Sequence, residues 1–75
     1  NGNLELIETH NPHVLGYLKQ EGDQKFAVIH NFSEKEQEFR SWLSIGVDKL
    51  SGNHVDLNGT VTLSGYQDMW VELDD

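Results

Sequence analysis

The sequence contains no cysteine, so neither a disulfide nor a thiolate nucleophile enters the fold or its chemistry. A domain of 75 residues must then hold together on its core alone, and at this size it buries only about 60% of its unfolded surface. Basic residues are scarce: five against 13 acidic, for a net charge of −8. Such a surface repels phosphate backbones and anionic headgroups, which argues against nucleic acid and membranes as partners. No run of about 18 apolar residues exists to span a bilayer. No basic-then-apolar N-terminal stretch exists either, so no secretory signal is expected, and a cytoplasmic, reducing setting is favoured. There is a single proline, no Gly-x-Ser-x-Gly elbow and no phosphate-cradling glycine loop. The chain begins at Asn1 and not at methionine. It is therefore expected to be one domain, residues 1–75, forming a fragment of a larger protein.

What is present is a series of short apolar stretches with turn signals between them. Phe26 to Ile29 is apolar on both faces, which predicts a strand covered on both sides in the middle of a sheet. Glu21-Gly22-Asp23 before it reads as a tight turn. Residues 13–20 read as its hairpin partner, in which Val14, Gly16 and Leu18 share one face and Leu15 and Tyr17 the other. Gly16 inside a strand predicts a bulge or a close neighbour. Residues 4–8 predict a first strand, and Thr9-His10-Asn11-Pro12 the turn after it. Further short strands are predicted over 47–50, 54–57, 60–63 and 66–73, with Asn58-Gly59 as a type I′ hairpin turn. In the last of these, Met69, Val71 and Leu73 face one way and Trp70 the other.

Residues 33–43 admit two readings. Ser33 with Glu36 matches a capping box, Phe39, Trp42 and Leu43 sit at helical spacing, and Glu36 with Arg40 makes an i,i+4 pair. Local rules thus predict a helix. The alternative is a strand over 36–39 followed by one helical turn through Leu43, which Gly46 would end. The whole pattern predicts an all-β, small antiparallel Greek-key sandwich of about seven or eight short strands.

Catalytic and metal chemistry find little support. His10 and His13 are close, but Pro12 between them disfavours a helical ligand pair and no third ligand follows; they are read as solvated turn residues, with no metal or cofactor. His30 on the central strand is read as a packed, hydrogen-bonded core histidine. Glu5 with Glu8, or Glu36 with Glu38, lack the buried cleft that a glycosidase carboxylate pair requires. A self-standing enzyme would need a pocket of about 300 Å³, for which so short a chain leaves little room. Asn31-Phe32-Ser33 and Asn58-Gly59-Thr60 match the glycosylation acceptor pattern and are read as coincidence. Trp42, Tyr66 and Trp70 are the candidate carbohydrate-binding residues, since exposed aromatic rings stack on sugars. Core or interface packing is the competing role.

Four blocks carry a family resemblance. Asn11-Pro12-His13-Val14-Leu15-Gly16-Tyr17-Leu18 is followed by a glycine turn and a strand ending Asn31-Phe32-Ser33. Asp48-Lys49-Leu50-Ser51-Gly52 comes next, and Leu63-Ser64-Gly65-Tyr66-Gln67 then runs into Trp70. In order and spacing, over about residues 4–73, these resemble the C-terminal β domain of the alpha-amylase family of glycoside hydrolases and transglycosylases, with amylosucrase-like members as the best match. The pattern departs from the family at Gly65, where relatives often carry proline, and at His30, where they often carry a small residue. The resemblance implies a strand over 36–39 with a helical turn after it. It also implies a non-catalytic accessory domain packed on the parent's (β/α)8 barrel, its partner in the same chain. The family's catalytic carboxylates lie on that barrel, so none has a counterpart here. The alternative function is a carbohydrate-binding module that contacts oligosaccharide through exposed aromatics.

Overall fold

Phe26, Ala27, Val28 and Ile29 are all buried, as a strand apolar on both faces requires. They belong to β3 (Gln24–Asn31), which lies between β2 (Val14–Glu21) and β6 (Asp68–Leu73) and pairs antiparallel with both. The computed structural model describes residues 4–74 and contains no helix among them. β1 (Leu4–Leu6), β4 (Gln37–Asp48) and β5 (His54–Leu63) complete one open antiparallel sheet in the order β1-β2-β3-β6-β4-β5.

The predicted hairpin between β2 and β3 turns at Gly22-Asp23, with Gly22 at φ 62°, a conformation glycine adopts without steric cost. Asn11 forms the predicted turn before β2: its carbonyl accepts the Val14 N–H at 3.0 Å and its side-chain oxygen the His13 N–H at 2.9 Å. Gly16 does have a close neighbour. A Cβ there would stand 3.3 Å from the Ile7 side chain.

The expectation of seven or eight short strands is corrected to six, in one continuous sheet. Residues 36–39 and 47–50 do not form two strands, because Gln37 to Asp48 runs as one. Likewise 54–57 and 60–63 are joined in β5, and Asn58-Gly59 is not a hairpin turn. Both residues pair across to β4, Asn58 with Trp42 and Gly59 with Ser41. A hairpin turn requires its two flanks to pair with each other; here a 12-residue β4 offers both flanks a common partner instead. Gly59 uses its freedom differently, at φ 112° inside the strand. The turn joining β4 to β5 is at Ser51-Gly52-Asn53, where the Gly52 N–H donates to Asp48 O at 2.6 Å and Asp48 N–H to Asn53 O at 2.8 Å.

No helical turn follows residue 39, and the capping-box pattern forms no helix. The Ser33 hydroxyl accepts the Lys35 N–H at 3.0 Å and the Gln37 side-chain amide at 3.3 Å, which stabilises a polar turn. The helical spacing of Phe39, Trp42 and Leu43 does not mark one face: Phe39 is buried, Trp42 is exposed on the other side of the strand, and a β-bulge follows Trp42. Trp42 pairs with Asn58 and Ile45 with Asp56, so Leu43 and Ser44 together oppose Leu57. One extra residue flips every later side chain to the other face. Phe39 and Ser41 are buried before the bulge; Gly46 and Asp48 are buried after it.

The bulge also lets the sheet fold over itself. β2 and β4 are separated in the sheet by two strands, about 14 Å of spacing. Yet the side-chain amide of Asn11, just before β2, donates to Gln37 Oε1 and to Glu38 O, both at 3.0 Å. The first half of β4 and the second half of β5 therefore lie across the inner face of β2-β3-β6. Phe39, Leu57, Val61 and Leu63 from the ribbon pack with Val14, Ala27, Ile29, Met69 and Val71 in one core. Each fully buried Leu or Ile there contributes about 1.5–3 kcal/mol. Asn31 pins the open end. Its buried amide nitrogen donates to Ser64 O at 2.8 Å and Lys35 O at 2.9 Å, and its oxygen accepts the Ser33 N–H at 2.8 Å.

Candidate functional site

The face of β1-β2-β3-β6 turned away from this core is apolar as well. Register places Leu6 opposite Tyr17, Tyr17 opposite Val28 and Val28 opposite Trp70, so one row of side chains crosses four strands. A neighbouring row runs Leu15, His30, Asp68, and Phe32 extends it past the end of β3. Residues in direct register share a face and touch. The His30 ring accordingly lies between Tyr17, 6.3 Å away centre to centre, and Phe32, stacked at 5.9 Å. The Trp70 ring meets the Phe26 edge at 6.2 Å, and the Lys19 ammonium sits 5.0 Å from its centre. Val28 and Phe26 are buried by these neighbours, whereas Leu4, Leu6 and Phe32 are exposed by 69, 74 and 63%.

This face carries little net charge in a chain of −8. Each carboxylate that register places on it meets a base: Glu21 with Lys19 at 2.7 Å, Asp68 with His30 Nδ1 at 2.8 Å, and Glu72 with Lys49 at 3.3 Å. With Asp68 ionised, Nδ1 is the nitrogen of His30 that carries the proton. The face is thus contiguous and largely apolar, with its carboxylates paired.

The three aromatic candidates share no face. Trp70 points away from Met69 and Val71 as predicted, but Phe26 and Lys19 occupy its ring, which leaves little of it for a sugar. Tyr66 is 66% exposed in the turn before β6, at φ 58°, its N–H bonded to Ser33 O at 2.8 Å. Trp42 is 70% exposed on the outward side of the β4-β5 ribbon.

One expectation about a single residue is corrected. His30 is hydrogen-bonded but is not a core residue; it lies half-buried on the outer face, because the core side of β3 belongs to Ala27, Ile29 and Asn31. Gly65, where relatives of the resembled family often carry proline, marks a close crossing. A Cβ there would collide with the backbone carbonyl of Glu34.

The remaining candidates are dispersed. His10 and His13 are exposed in the turn before β2, and no three metal-ligating side chains come together among the described residues. Glu5, Glu8, Glu36 and Glu38 are all exposed. Glu36 and Glu38 border an open depression with Asn11 and Gln37 that holds no buried carboxylate. Asn31, the first glycosylation match, is buried with its amide engaged.

Sequence reasoning missed the outer face as a unit, although its signal was present. Leu15, Tyr17 and Lys19 alternate with the core set Val14, Gly16 and Leu18, as Trp70 does with Met69 and Val71. The class that fold and face define is an all-β domain of one open, bent sheet with a second, uncovered apolar face. No family model matches the chain.

Proposed function

We propose that this chain is a non-catalytic C-terminal accessory domain of an alpha-amylase-family, amylosucrase-like enzyme, and that its outer face packs on the catalytic (β/α)8 barrel. The observation that carries this reading is the largely apolar outer face of β1-β2-β3-β6, which spans four strands and has no element packed over it among the described residues. Leaving such a face in water is costly, at about 25 cal/mol for each Å². The four sequence blocks that resemble the family supply the rest. On this reading, the bent sheet with its ribbon folded over β2-β3-β6 is this chain's version of the family's two-layer Greek-key sandwich. The domain's work is structural: it covers apolar barrel surface and raises the stability of the whole enzyme. Glycosyl transfer or hydrolysis is then performed on the barrel, without a cofactor held here.

The test is a Leu15→Ser, Phe32→Ser double substitution in the enzyme that carries this segment. The expected result is a melting temperature lowered by several degrees, with kcat/KM at low temperature retained. An unchanged melting temperature would overturn the proposal.

A further inference from the structure

The opposite surface, the outward side of the β4-β5 ribbon, has a different character. In direct register it presents Glu38 beside Thr62, Arg40 beside Thr60, and Trp42 beside Asn58. All six are exposed. Their inward neighbours Phe39, Ser41, Val61 and Leu63 are buried, so the ribbon has one apolar and one polar side. Trp42 stands on the polar side, the bulge begins immediately after it, and exposed Ile45 follows beyond the bulge. Bulges re-aim side chains, and this one leaves the indole standing free.

The polar groups around that indole have no other use. Among the described residues, neither the Arg40 guanidinium, the Asn58 amide nor the Thr60 hydroxyl makes a hydrogen bond or an ion pair. Register sets Asn58 about 5 Å from Trp42 across the ribbon, and Arg40 about 7 Å away along the strand. An exposed aromatic ring thus has an amide, a guanidinium fork and a hydroxyl as its neighbours in register, groups that donate and accept hydrogen bonds.

We infer that this face binds a neutral oligosaccharide of hexopyranose units, with Trp42 stacking on the C–H face of one ring and Asn58, Arg40 and Thr60 bonding its hydroxyls. A pyranose has that division, an apolar face and a rim of hydroxyls. The chemistry selects an uncharged ligand. Glu38 and Arg40 cancel locally, and a chain of net charge −8 repels an anionic polymer. The surface is open and flat, so it takes the interior of a glycan chain as readily as an end. Its affinity is in the millimolar range, as expected when few groups are desolvated. The inference is independent of the docking proposal, which uses the other face, and either can fail without the other.

The test is a two-dimensional amide and indole NMR titration of the chain with maltoheptaose and, separately, with cellohexaose. Saturable shifts at the Trp42 indole and at the amides of Arg40, Asn58 and Thr60 are expected with at least one of them. Trp42→Ala should weaken binding about tenfold or more, with Trp42→Tyr recovering part of it, while the dispersed spectrum of the fold is retained. Asn58→Ala should weaken binding with no change in stability. Silence with both sugars overturns the inference. So do shifts centred on Trp70 or Tyr66, or shifts that persist unchanged in Trp42→Ala.

Discussion

The carboxylate of Asp48 accepts the backbone N–H of Trp70 at 3.1 Å, which ties the end of β4 to the middle of β6. The same carboxylate accepts the Leu50 N–H at 3.2 Å and the Ser51 hydroxyl at 2.9 Å, while the Lys49 N–H donates to Trp70 O at 2.7 Å. Asp48 is buried, and its acceptors serve the turn and the neighbouring strand together. Replacing it with alanine leaves the part-buried Trp70 N–H without a partner. The expected cost is about 2–4 kcal/mol. A domain of this size holds about 4–11 kcal/mol in total, so urea unfolding should show a large fall in midpoint. Asp48→Asn keeps one acceptor and should cost about half as much. Equal midpoints for wild type and Asp48→Ala would refute this role.

Gly46 lies at the crossing of β4 and β6. A Cβ there would strike the Glu72 carbonyl and come within 2.8 Å of Val71 Cγ1. Val71 is fully buried and Glu72 O is backbone, so neither can yield. Gly46→Ala should destabilise by about 1–3 kcal/mol through overpacking, although alanine favours strands over glycine in isolation. Thermal melting checks the sign. A rise in melting temperature would mean that the crossing is looser than the geometry states.

The contrast between β3 and β4 explains what could be read from the residues alone. β3 was legible because its two-sided burial is written in four consecutive apolar residues, Phe26 to Ile29. β4 was not, because its pattern depends on a bulge, and a bulge has no local signature in Trp42-Leu43-Ser44-Ile45. The helical signals, Ser33 with Glu36 and Glu36 with Arg40, are local rules that the pairing of β4 with β5 overrides: Arg40 lies opposite Thr60 across the ribbon. Asn58-Gly59 failed for a related reason: turn chemistry states what two residues tolerate, and β4 decided what they pair with. The candidate site followed the same division. Trp42 was legible as a candidate aromatic, but not as an exposed one, since core or interface packing was the competing role. Its neighbours Asn58 and Thr60 were hidden, because the first was assigned to a turn and the second to the strand after it.

Asn31 is the polar counterpart of the apolar core at the open end of the sheet. Its amide reaches Lys35 and Ser64 carbonyls and the Ser33 N–H, so one side chain organises the connections before β4 and after β5. Asn31→Ala strands three backbone groups in a part-buried site and should cost about 2–4 kcal/mol. Amide exchange of Ser33 and Gln67 should accelerate, since the Ser33 N–H donates to Asn31 Oδ1 and the Gln67 N–H donates to Ser64 O, which also accepts from the Asn31 amide. Unaltered exchange at both positions would show that the backbone bonds suffice without the side chain.

Tyr66 holds φ 58°, a left-handed conformation that costs a bulky L-residue about 1–2 kcal/mol. Three bonds impose it. The Tyr66 N–H donates to Ser33 O at 2.8 Å, the Gln67 N–H to Ser64 O at 3.0 Å, and the Ser64 N–H to Gln67 Oε1 at 2.8 Å. The ring itself is largely in solvent and contributes little packing to offset the strain. Tyr66→Gly removes the steric cost but widens the unfolded ensemble, and the two effects oppose each other at about 1 kcal/mol each. The expected outcome is stability equal to wild type or higher by up to about 1 kcal/mol, measured by urea unfolding of the isolated chain. A loss of more than that would assign the ring a packing role that its exposure denies. The same variant should leave maltoheptaose shifts at Trp42 unchanged, which separates the turn from the ribbon face.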